Sequence, residues 1–369
     1  MAEVELDNVM KKYGSLTAVD QVSFTVEDGE FFSLLGPSGA GKTTILQMIS
    51  GIEHLTSGDI YIGGERANDV NPKDRDVAMA FEDYNLYPHF TVYENMAFPL
   101  RAPTRKRKYP ESEERERVEE VATILGIDQL LDRNPDHLSG GQKQRVSLGR
   151  ALVRHPKVFL LDEPISHLDA KLKEAMRAEM QKIASELGTT VIYVTHDYRE
   201  ALGMSTKMGV LYKGKIRQIA TPEEIFENPL DDVVGSLVGE FPMNLWDGEF
   251  VGEDGKVTFK NPSFQVSLPK NTSEKLKSFP TNQPPRVGVR PRHLSIHLEE
   301  PSGIQTMRGQ IVALEYKPDS TLASIRVGDV IMRAATDEHL PRDLETVWIS
   351  VQEDRICLLE RALEKGGAE

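Results

Sequence analysis

The segment "FFSLLGPSGAGKTTILQMISGI" (31–52) constrains the fold of this chain more than any other part of the sequence. "FFSLLG" (31–36) is a short apolar run typical of a buried strand, and "KTTILQMISGI" (42–52) has helical spacing. Between them, "GPSGAGKTT" (36–44) matches the pattern G-x-x-x-x-G-K-[ST]. Glycines let backbone N–H groups turn inward, and the helix N-terminus adds partial positive charge. The segment therefore predicts a strand–loop–helix unit whose loop binds phosphate groups.

Within this loop, two side chains have specific expected roles. Lys42 is predicted to reach the β- and γ-phosphates of a nucleotide, and Thr43 to offer its hydroxyl to Mg²⁺. A chance glycine-rich turn is the alternative, which the flanking strand and helix patterns disfavour. The residues expected to line the nucleotide phosphates are Gly36, Pro37, Ser38, Gly39, Ala40, Gly41, Lys42, Thr43 and Thr44.

A second strand pattern, "VFLLDEP" (158–164), ends in two acids. Asp162 closes the apolar run, where a carboxylate can hold the Mg²⁺ shell. Glu163 follows at the carboxyl edge of the strand, where ligands of open α/β sheets bind, and it can orient attacking water or accept its proton. The acidic pair says little by itself. Combined with the phosphate loop, it predicts nucleotide hydrolysis.

Two sequence patterns divide the chain into predicted domains. Over 1–239, apolar runs such as "TVIYVTHD" (190–197) alternate with amphipathic stretches, which predicts an α/β domain with a largely parallel sheet. Its charged segment 103–127 indicates a loop leading into a solvent-facing helical insertion, part of a helical subdomain at about 88–157. Over 240–369, short alternating runs predict the antiparallel strands of a small β-barrel or sandwich.

Composition excludes several classes of protein. The formal net charge is −14 over 369 residues, which argues against a nucleic-acid partner. The single cysteine, Cys357, rules out a disulfide framework and a cysteine metal cluster, so we expect a small core residue there. The sequence has no apolar run of 18 residues and no N-terminal signal pattern. We therefore expect a cytoplasmic protein whose membrane role comes through a partner.

The motif "LSGGQKQRVSLGRAL" (138–152) indicates a second anion site, because Ser-Gly-Gly precedes another amphipathic helix. One chain does not need two γ-phosphate sites at this separation. The simplest arrangement is a head-to-tail dimer, in which one subunit closes over the ATP that the other subunit holds. The closing residues would be Ser139, Gly140, Gly141 and Gln142.

The order of the motifs carries a family resemblance. "KKYGSLTAVD", the phosphate loop, "FEDYNLYPHFTVYENMAF", "LSGGQ", "LLDEP", "SHLDA" and "VTHD" follow one another within 4–240. In this order they resemble the ATPase subunit of ATP-binding cassette (ABC) transporters. "GVRPRHLSI" (288–296) resembles the accessory β-domain of importers for maltose, other sugars and glycerol 3-phosphate. The resemblance implies a P-loop nucleotide-binding domain with a helical subdomain, followed by a small OB-like β-barrel.

The resemblance also implies residue roles. Tyr13 would stack on adenine, and a half-buried strand aromatic is the alternative. Glu163 would polarise the attacking water, and His196 would contact the γ-phosphate and help to hold that water. Asp169, in "SHLDA", would lie at the dimer seam and link the two ATP sites.

At Glu82 the chain departs from the family, which usually has a glutamine that binds Mg²⁺ and the water. A carboxylate adds a negative charge near the γ-phosphate, which at about 4 Å costs about 1 kcal/mol in water. Carboxylate oxygens are nevertheless good Mg²⁺ ligands. Three alternatives stay open: a tolerated substitution, slower hydrolysis or coupling in a heterodimer with a second ATPase, and an altered metal preference.

A second departure is His167, where the family commonly has asparagine. An imidazole at the dimer seam could make the loop contacts pH-dependent between roughly pH 5 and 8. A permitted polar replacement is the alternative.

The resemblance implies an ATP- and Mg²⁺-dependent ATPase at the cytoplasmic face of the cell membrane. It would form a homodimer, or a heterodimer with a second ATPase, on two permease subunits, and meet an extracytoplasmic solute-binding protein indirectly. The favoured solute is a carbohydrate, polyol or glycerol-3-phosphate-like compound; an iron or polyamine importer and a non-transport ABC protein are the alternatives. The aromatic loop after Phe81 would contact the permeases through Tyr84, Leu86, Tyr87 and Phe90.

Overall fold

The computed structural model describes residues 2–81, 85–101, 109–166, 170–253, 256–279 and 283–362. The chain divides into two compact units, one up to Glu223 and one from Glu224. The domain boundary expected between residues 239 and 240 stays a prediction. No helix in the described ranges is long and apolar enough to span a membrane.

The first unit alternates strands and helices. Its strands are β1 (Val4–Tyr13), β2 (Leu16–Val26), β3 (Phe31–Leu35), β4 (Ser57–Ile62), β5 (Glu65–Arg66), β6 (Val77–Ala80), β7 (Val158–Asp162), β8 (Thr190–Thr195), β9 (Lys207–Tyr212) and β10 (Lys215–Ala220). Its helices are α1 (Lys42–Ser50), α2 (Val92–Ala97), α3 (Glu111–Ile124), α4 (Gly140–Leu152), α5 (Ala170–Leu187) and α6 (Tyr198–Met204). The predicted strands at 31–36, 158–164 and 190–197 are confirmed.

Two sheets organise this unit. A six-stranded sheet has the order β10-β9-β3-β8-β7-β6, with its strands parallel apart from β10. An antiparallel sheet has the order β2-β1-β4-β5. The α/β fold with a largely parallel sheet is therefore confirmed.

Every residue of β3, β7 and β8 is buried, as expected for strands covered on both faces. Side chains along β7 alternate between two cores: Phe159 and Leu161 pack with α2, α3, α4 and α5, whereas Val158 and Leu160 pack with α1 and the antiparallel sheet. This two-residue period explains why the runs are continuously apolar. Each strand must supply one apolar face to each layer.

The helical insertion is less solvated than the charge of segment 103–127 suggests. Residues 102–108 lie outside the described ranges, and α3 follows them. Val118 and Val121 of α3 are buried, and so is Glu114. Glu114 accepts from Tyr93 (Oη to Oε1, 2.9 Å) and pairs with Arg101 (Nη2 to Oε1, 2.7 Å), which lowers the pKa of its carboxyl. Glu114, one acid of the charge run, is thus a buried residue in a tertiary contact. The prediction of a solvent-facing insertion applies only to the outer face of α3.

The second unit is mainly antiparallel. Helix α7 (Pro222–Glu227) begins just before it, and helices α8 (Asp232–Leu237) and α9 (Lys270–Leu276) lie within it. Its strands are β11 (Asn244–Trp246), β12 (Glu249–Glu253), β13 (Lys256–Lys260), β14 (Gln265–Leu268), β15 (Arg286–Val289), β16 (Leu294–His297), β17 (Met307–Tyr316), β18 (Thr321–Val327), β19 (Val330–Thr336), β20 (Thr346–Val351) and β21 (Cys357–Leu359).

These strands form sheets with the orders β11-β15-β21, β12-β13-β14 and β16-β20-β17-β18-β19. One core cluster, which includes Phe259, Val287, Ile325 and Ile349, lies between them. The antiparallel, barrel-like architecture predicted for the C-terminal region is confirmed. Cys357 begins β21, and burial raises the pKa of its thiol.

Candidate active site at the ends of the parallel strands

The carboxyl ends of three adjacent strands meet at one edge of the parallel sheet. β3 and β7 both pair with β8. The backbone N–H of Gly36 donates to the Thr195 carbonyl oxygen (N to O, 3.3 Å), and that of Glu163 donates to the Val194 carbonyl oxygen (3.0 Å). The phosphate loop, the acidic pair and the histidine after β8 therefore start from neighbouring positions, as ligand sites in open α/β sheets require.

The loop from Gly36 to Gly41 needs glycine at the positions where its backbone turns. Gly39 and Gly41 have φ values of 76° and 105°, which favour glycine. A Cβ on Gly41 would also collide with the Ala18 carbonyl oxygen. Gly41 is the N-cap of α1 and contributes no side-chain cap, so the first amides of the helix face the loop without a capping acceptor from that residue. Pro37 is half-buried, Ser38 is exposed, Ala40 is buried and Thr44 is half-buried.

Lys42, Glu163 and His196 form a contiguous set of charged and polar groups. The Lys42 ammonium lies 3.3 Å from Glu163 Oε1 and donates to the carbonyl oxygens of Gly36 (2.9 Å) and Pro37 (3.1 Å). The other Glu163 oxygen, Oε2, lies 2.6 Å from His196 Nδ1. Lys42 is 5% exposed on its side chain and Glu163 is 15% exposed, whereas His196 is 51% exposed. The carboxylate thus joins a buried cation to an imidazole at the surface.

Glu163 adopts a backbone conformation that a residue with a side chain rarely takes. Its φ of 45° lies in the left-handed region, which costs an L-residue about 1–2 kcal/mol. The Glu163 carbonyl oxygen accepts from Ser166 N (3.2 Å), so the left-handed residue begins a tight turn. Local strain of this kind is concentrated at functional sites, where it places a side chain that ordinary strand geometry would not. Here it turns the carboxylate towards Lys42 and His196.

Thr43 and Asp162 supply a donor set that suits Mg²⁺. The Thr43 hydroxyl donates to Asp162 Oδ1 (Oγ1 to Oδ1, 3.0 Å). A hydroxyl from α1 and a carboxylate from β7 therefore lie side by side. Hard divalent cations prefer such oxygen ligands, and Mg²⁺ usually takes only one or two of them from the protein. In the described ranges, no group of three or more acidic, histidine or cysteine side chains forms a metal cluster. The residues present fit an ion shared with phosphate oxygens.

We call Lys42, Thr43, Asp162, Glu163 and His196 the strand-end cluster. Tyr13 lies elsewhere, at the end of β1, and its side chain is 43% exposed. The Lys11 ammonium lies 4.8 Å from the centre of the Tyr13 ring, and it also pairs with Glu53 at 2.7 Å. The stacking of Tyr13 on adenine stays a prediction.

The second glycine-rich motif forms the N-terminus of α4. Ser139 is the N-cap and makes a capping box with Gln142: Ser139 N donates to Gln142 Oε1 (2.9 Å), and Gln142 N donates to Ser139 Oγ (3.4 Å). Ser139 and Gly140 are exposed, whereas Gly141 is buried. Both hydrogen bonds of the capping box are therefore made within the motif itself.

Several predicted residues lie outside the described ranges. They include Glu82, His167 and Asp169, and also Tyr84 of the aromatic loop. The three alternatives for Glu82, the two for His167 and the dimer-seam role of Asp169 therefore stay predictions.

One polar network near the site was not found from the sequence. Glu200, in the first turn of α6, is buried and accepts hydrogen bonds from Tyr193 and Thr195 of β8. The only sequence signal was an acid three residues after Asp197, which suggests a capping box. The structure instead caps α6 with Asp197, whose Oδ1 accepts from Arg199 N (2.8 Å), and turns Glu200 inward.

Comparison with known proteins agrees with this geometry. The family model described as ABC transporter matches residues 19–166. The chain is 51% identical over 265 residues to the trehalose/maltose import ATP-binding protein MalK of Thermococcus litoralis, covering 70% of each chain. It is 44% identical over 300 residues to the sn-glycerol-3-phosphate import ATP-binding protein UgpC of Bordetella avium, covering 81% of this chain and 80% of the other.

The chain belongs to the ABC transporter family. A solved dimer of an ATP-binding cassette in a post-hydrolysis state, bound to ADP and Pi, is also similar, at 33% identity and a TM-score of 0.54. The similarity covers 59% of this chain and 98% of that one. The predicted family and fold are thereby confirmed. ATP binding and hydrolysis are the characteristic chemistry of this ABC family, so the predicted enzyme class is confirmed as well.

Proposed function

We propose that this ABC protein is the ATP-hydrolysing subunit of an importer for a carbohydrate, a polyol or a glycerol-3-phosphate-like solute. The observation that carries the ATPase role is the position of Glu163, whose two oxygens face Lys42 and His196 at the ends of adjacent strands. The relatives named for trehalose, maltose and glycerol 3-phosphate import support the solute class.

Within the strand-end cluster, each residue has a distinct part. Glu163 orients the attacking water and accepts its proton, because a carboxylate within reach of the nucleophile can act as a general base. His196, whose Nδ1 meets Glu163 Oε2, would contact the γ-phosphate and help to hold the water. Lys42 stabilises the negative charge that develops on the phosphoryl oxygens. The loop amides from Gly36 to Thr44 position the phosphates.

Thr43 and Asp162, whose side-chain oxygens lie next to each other, would hold Mg²⁺. The family pattern suggests that Glu82 would also bind the ion. When bound, the ion would neutralise phosphate charge and fix the orientation of the phosphoryl group. Tyr13 would bind the adenine ring through its exposed face.

The subunit works as a dimer, with the α4 N-terminus of one copy completing the nucleotide site of the other. The exposure of Ser139 and Gly140, and the self-contained capping box behind them, support this assignment. Because a helix N-terminus attracts anions, ATP held by one subunit would draw the second closed, and hydrolysis would release it.

Two permease subunits would take up this motion at the membrane surface. The aromatic residues Tyr87, Phe90 and Phe98 form a cluster with ring centres 4.6 to 5.8 Å apart, and Tyr87 and Phe98 are each 40% exposed. Such an exposed apolar group suits a protein partner. The subunit would thus lie peripherally at the cytoplasmic face of the membrane.

Steady-state ATPase assays on Glu163→Gln test the catalytic role. We expect kcat to fall by about 10²–10⁴-fold, because the general base is lost while the shape is kept. ATP affinity should stay within about twofold of the parent value. Glu65→Gln, at an exposed acid on β5, is the matched control and should retain full activity. Equal activity in Glu163→Gln and the parent would refute the assignment.

Purification from membranes tests the importer role. We expect two permease subunits to accompany the chain, and vesicles containing the complex to take up labelled maltose or glycerol 3-phosphate only with ATP. Recovery of an iron or polyamine transporter instead would contradict the solute class while leaving the ATPase role intact.

A further inference from the structure

Glu200 is a buried carboxylate beside the His196 turn. The residue is 3% exposed. Its Oε2 accepts from Tyr193 Oη (2.8 Å) and from Thr195 Oγ1 (2.6 Å), and its Oε1 lies 3.6 Å from the Lys173 ammonium. Three partners from β8 and α5 therefore hold one buried charge. Removing a charge from water is costly unless such partners are provided, so the network is specific rather than incidental.

The network reaches both neighbours of His196. Thr195 Oγ1 donates to Glu200 and also accepts from the backbone N–H of Asp197 (N to Oγ1, 2.9 Å). The backbone on either side of His196 is thus tied to one carboxylate. The His196 side chain is half exposed and meets Glu163 through Nδ1. Its direction therefore depends on the turn that carries it.

Helix capping does not explain the position of Glu200. A glutamate three residues after an N-cap normally accepts from the N-cap amide and stays near the surface. Here the Asp197 amide donates to Thr195 Oγ1, and Glu200 points into the core. Burial and Glu200 together raise the pKa of Tyr193 well above its usual range, so its hydroxyl remains a donor to the carboxylate.

Lys173 extends the network to α5. It lies in the first turn of that helix, which begins at Ala170. Through Lys173 and Glu200, the start of α5 is connected to the His196 turn. A second link between the same helices, from Gln181 Nε2 to the Gly203 carbonyl oxygen (2.9 Å), lies further along α5, away from this turn.

We propose that Glu200 is a positioning residue for ATP hydrolysis, which keeps the His196 turn aligned with Glu163 and connects it to the start of α5. This inference rests on the proposed ATPase function. Because Glu200 is buried beneath the turn, its effect on hydrolysis would pass through His196. Loss of the carboxylate should therefore lower turnover and leave ATP binding unchanged.

The first test compares Glu200→Gln and Lys173→Met with the control Gln181→Met, in the full-length chain. We expect kcat for ATP to fall about tenfold in Glu200→Gln and about threefold in Lys173→Met, with KM within twofold of the parent. Gln181→Met, which removes the other link between α5 and α6, should retain full kcat. Equal losses in Gln181→Met and Glu200→Gln would overturn the proposal, because any weakening of helix packing would then suffice.

A double-mutant cycle tests whether the effect passes through His196. Single-turnover hydrolysis of radiolabelled ATP resolves slow variants, so Glu200→Gln can be measured alone and in a His196→Gln background. We expect a tenfold loss in the parent and less than a twofold loss once His196 is replaced. The same loss in both backgrounds, or no loss in either, would overturn the proposal.

Tyr193→Phe serves if Glu200→Gln does not fold. Tyr193→Phe removes one donor to the carboxylate and keeps the ring. We therefore expect this change to lower kcat by about threefold in the parent and to leave kcat unchanged in the His196→Gln background. An equal loss in both backgrounds would again overturn the proposal. A failure of the proposed ATPase function would look different from a failure of this inference. In that case the parent chain would show no ATP hydrolysis that the Glu163→Gln change abolishes.

Discussion

Two glycine-rich helix N-termini, those of α1 and α4, differ in what surrounds them. At α1, the chain itself supplies a buried lysine, a hydroxyl and two acids at the end of β7. At α4, Ser139 and Gln142 cap each other, and Ser139 and Gly140 are exposed. The same local physics, a helix dipole with glycine beside it, therefore gives a nearly complete site in one place and half of a site in the other.

A glycine-rich helix N-terminus is therefore only part of a phosphate site, and other groups must converge on it. At α1, convergence follows from β3, β7 and β8 being adjacent in one sheet. At α4, the converging groups are expected from a second copy of the chain.

Lys42→Met breaks the α1 side. We expect kcat/KM for ATP to fall by about 10³-fold, because the cation that stabilises phosphoryl charge is lost. Binding of a fluorescent ATP analogue should weaken as well. Lys215→Met, at an exposed lysine paired with Asp20, is the control and should behave like the parent. An unchanged kcat/KM in Lys42→Met would remove α1 from the nucleotide site.

Ser139→Arg breaks the α4 side. We expect kcat to fall by about 10²-fold while the isolated chain binds ATP as the parent does, because the damaged surface belongs to the partner's site. Ser139→Thr keeps an N-cap hydroxyl and should retain most of the activity. A Ser139→Arg chain that binds ATP poorly as a monomer would contradict the division between the two N-termini.

Mixing the Lys42→Met and Ser139→Arg chains tests whether the two N-termini meet at one ATP site. A head-to-tail dimer of Lys42→Met and Ser139→Arg chains contains one site with both defects and one intact site. Random pairing should therefore restore about a quarter of the parent activity. Mixing Lys42→Met with the parent calibrates how fast a dimer with one intact site turns over. No recovery alongside an active calibration mixture would show that the two N-termini do not share a site.

Tyr13→Ala tests a third contact on the α1 side. Stacking of a base on an aromatic ring is worth about 1–3 kcal/mol, so we expect KM for ATP to rise about tenfold with little change in kcat. Tyr13→Trp should restore binding. Equal KM values for ATP in Tyr13→Ala and the parent would assign Tyr13 to the surface of β1 alone.

Glu82→Gln has the smallest expected effect. We expect ATP binding to be intact and ATPase activity to be preserved or raised by up to roughly fivefold, because removal of one like charge near phosphate is worth about 1 kcal/mol. Abolished activity would instead make Glu82 a required group. Comparing Mg²⁺ with Mn²⁺ in both chains separates a charge effect from an altered metal preference.

Local patterns predicted the elements at the site well. "FFSLLG", "VFLLDEP" and "TVIYVTHD" were recognisable as buried strands because each must cover two cores. The phosphate loop was recognisable because its glycines meet backbone requirements that act within a few residues, such as the positive φ of Gly39 and Gly41. These requirements are local, so they are visible in a linear sequence.

Contacts between residues that are distant in the sequence were harder to predict. Glu114 was assigned to a solvated charge run, yet it is buried against Arg101 and Tyr93. Glu200 was not singled out in the sequence, yet it is held in the core by residues of β8 and α5. The environment of a charged residue depends on partners that come together only when the chain folds. The hydrophobic periodicity of the sequence does not indicate which partners these are.

The α/β region, the antiparallel region and the phosphate loop could be predicted from the sequence, and so could the chemical groups at the site. That Glu163, in a left-handed conformation, reaches Lys42 and His196 together became visible only in the folded chain. The same is true of the hydrogen bonds that tie the His196 turn to Glu200. Backbone conformation and hydrophobic period depend on residues that are close in the sequence. The distance between two charges from different strands depends instead on the strand order of the sheet.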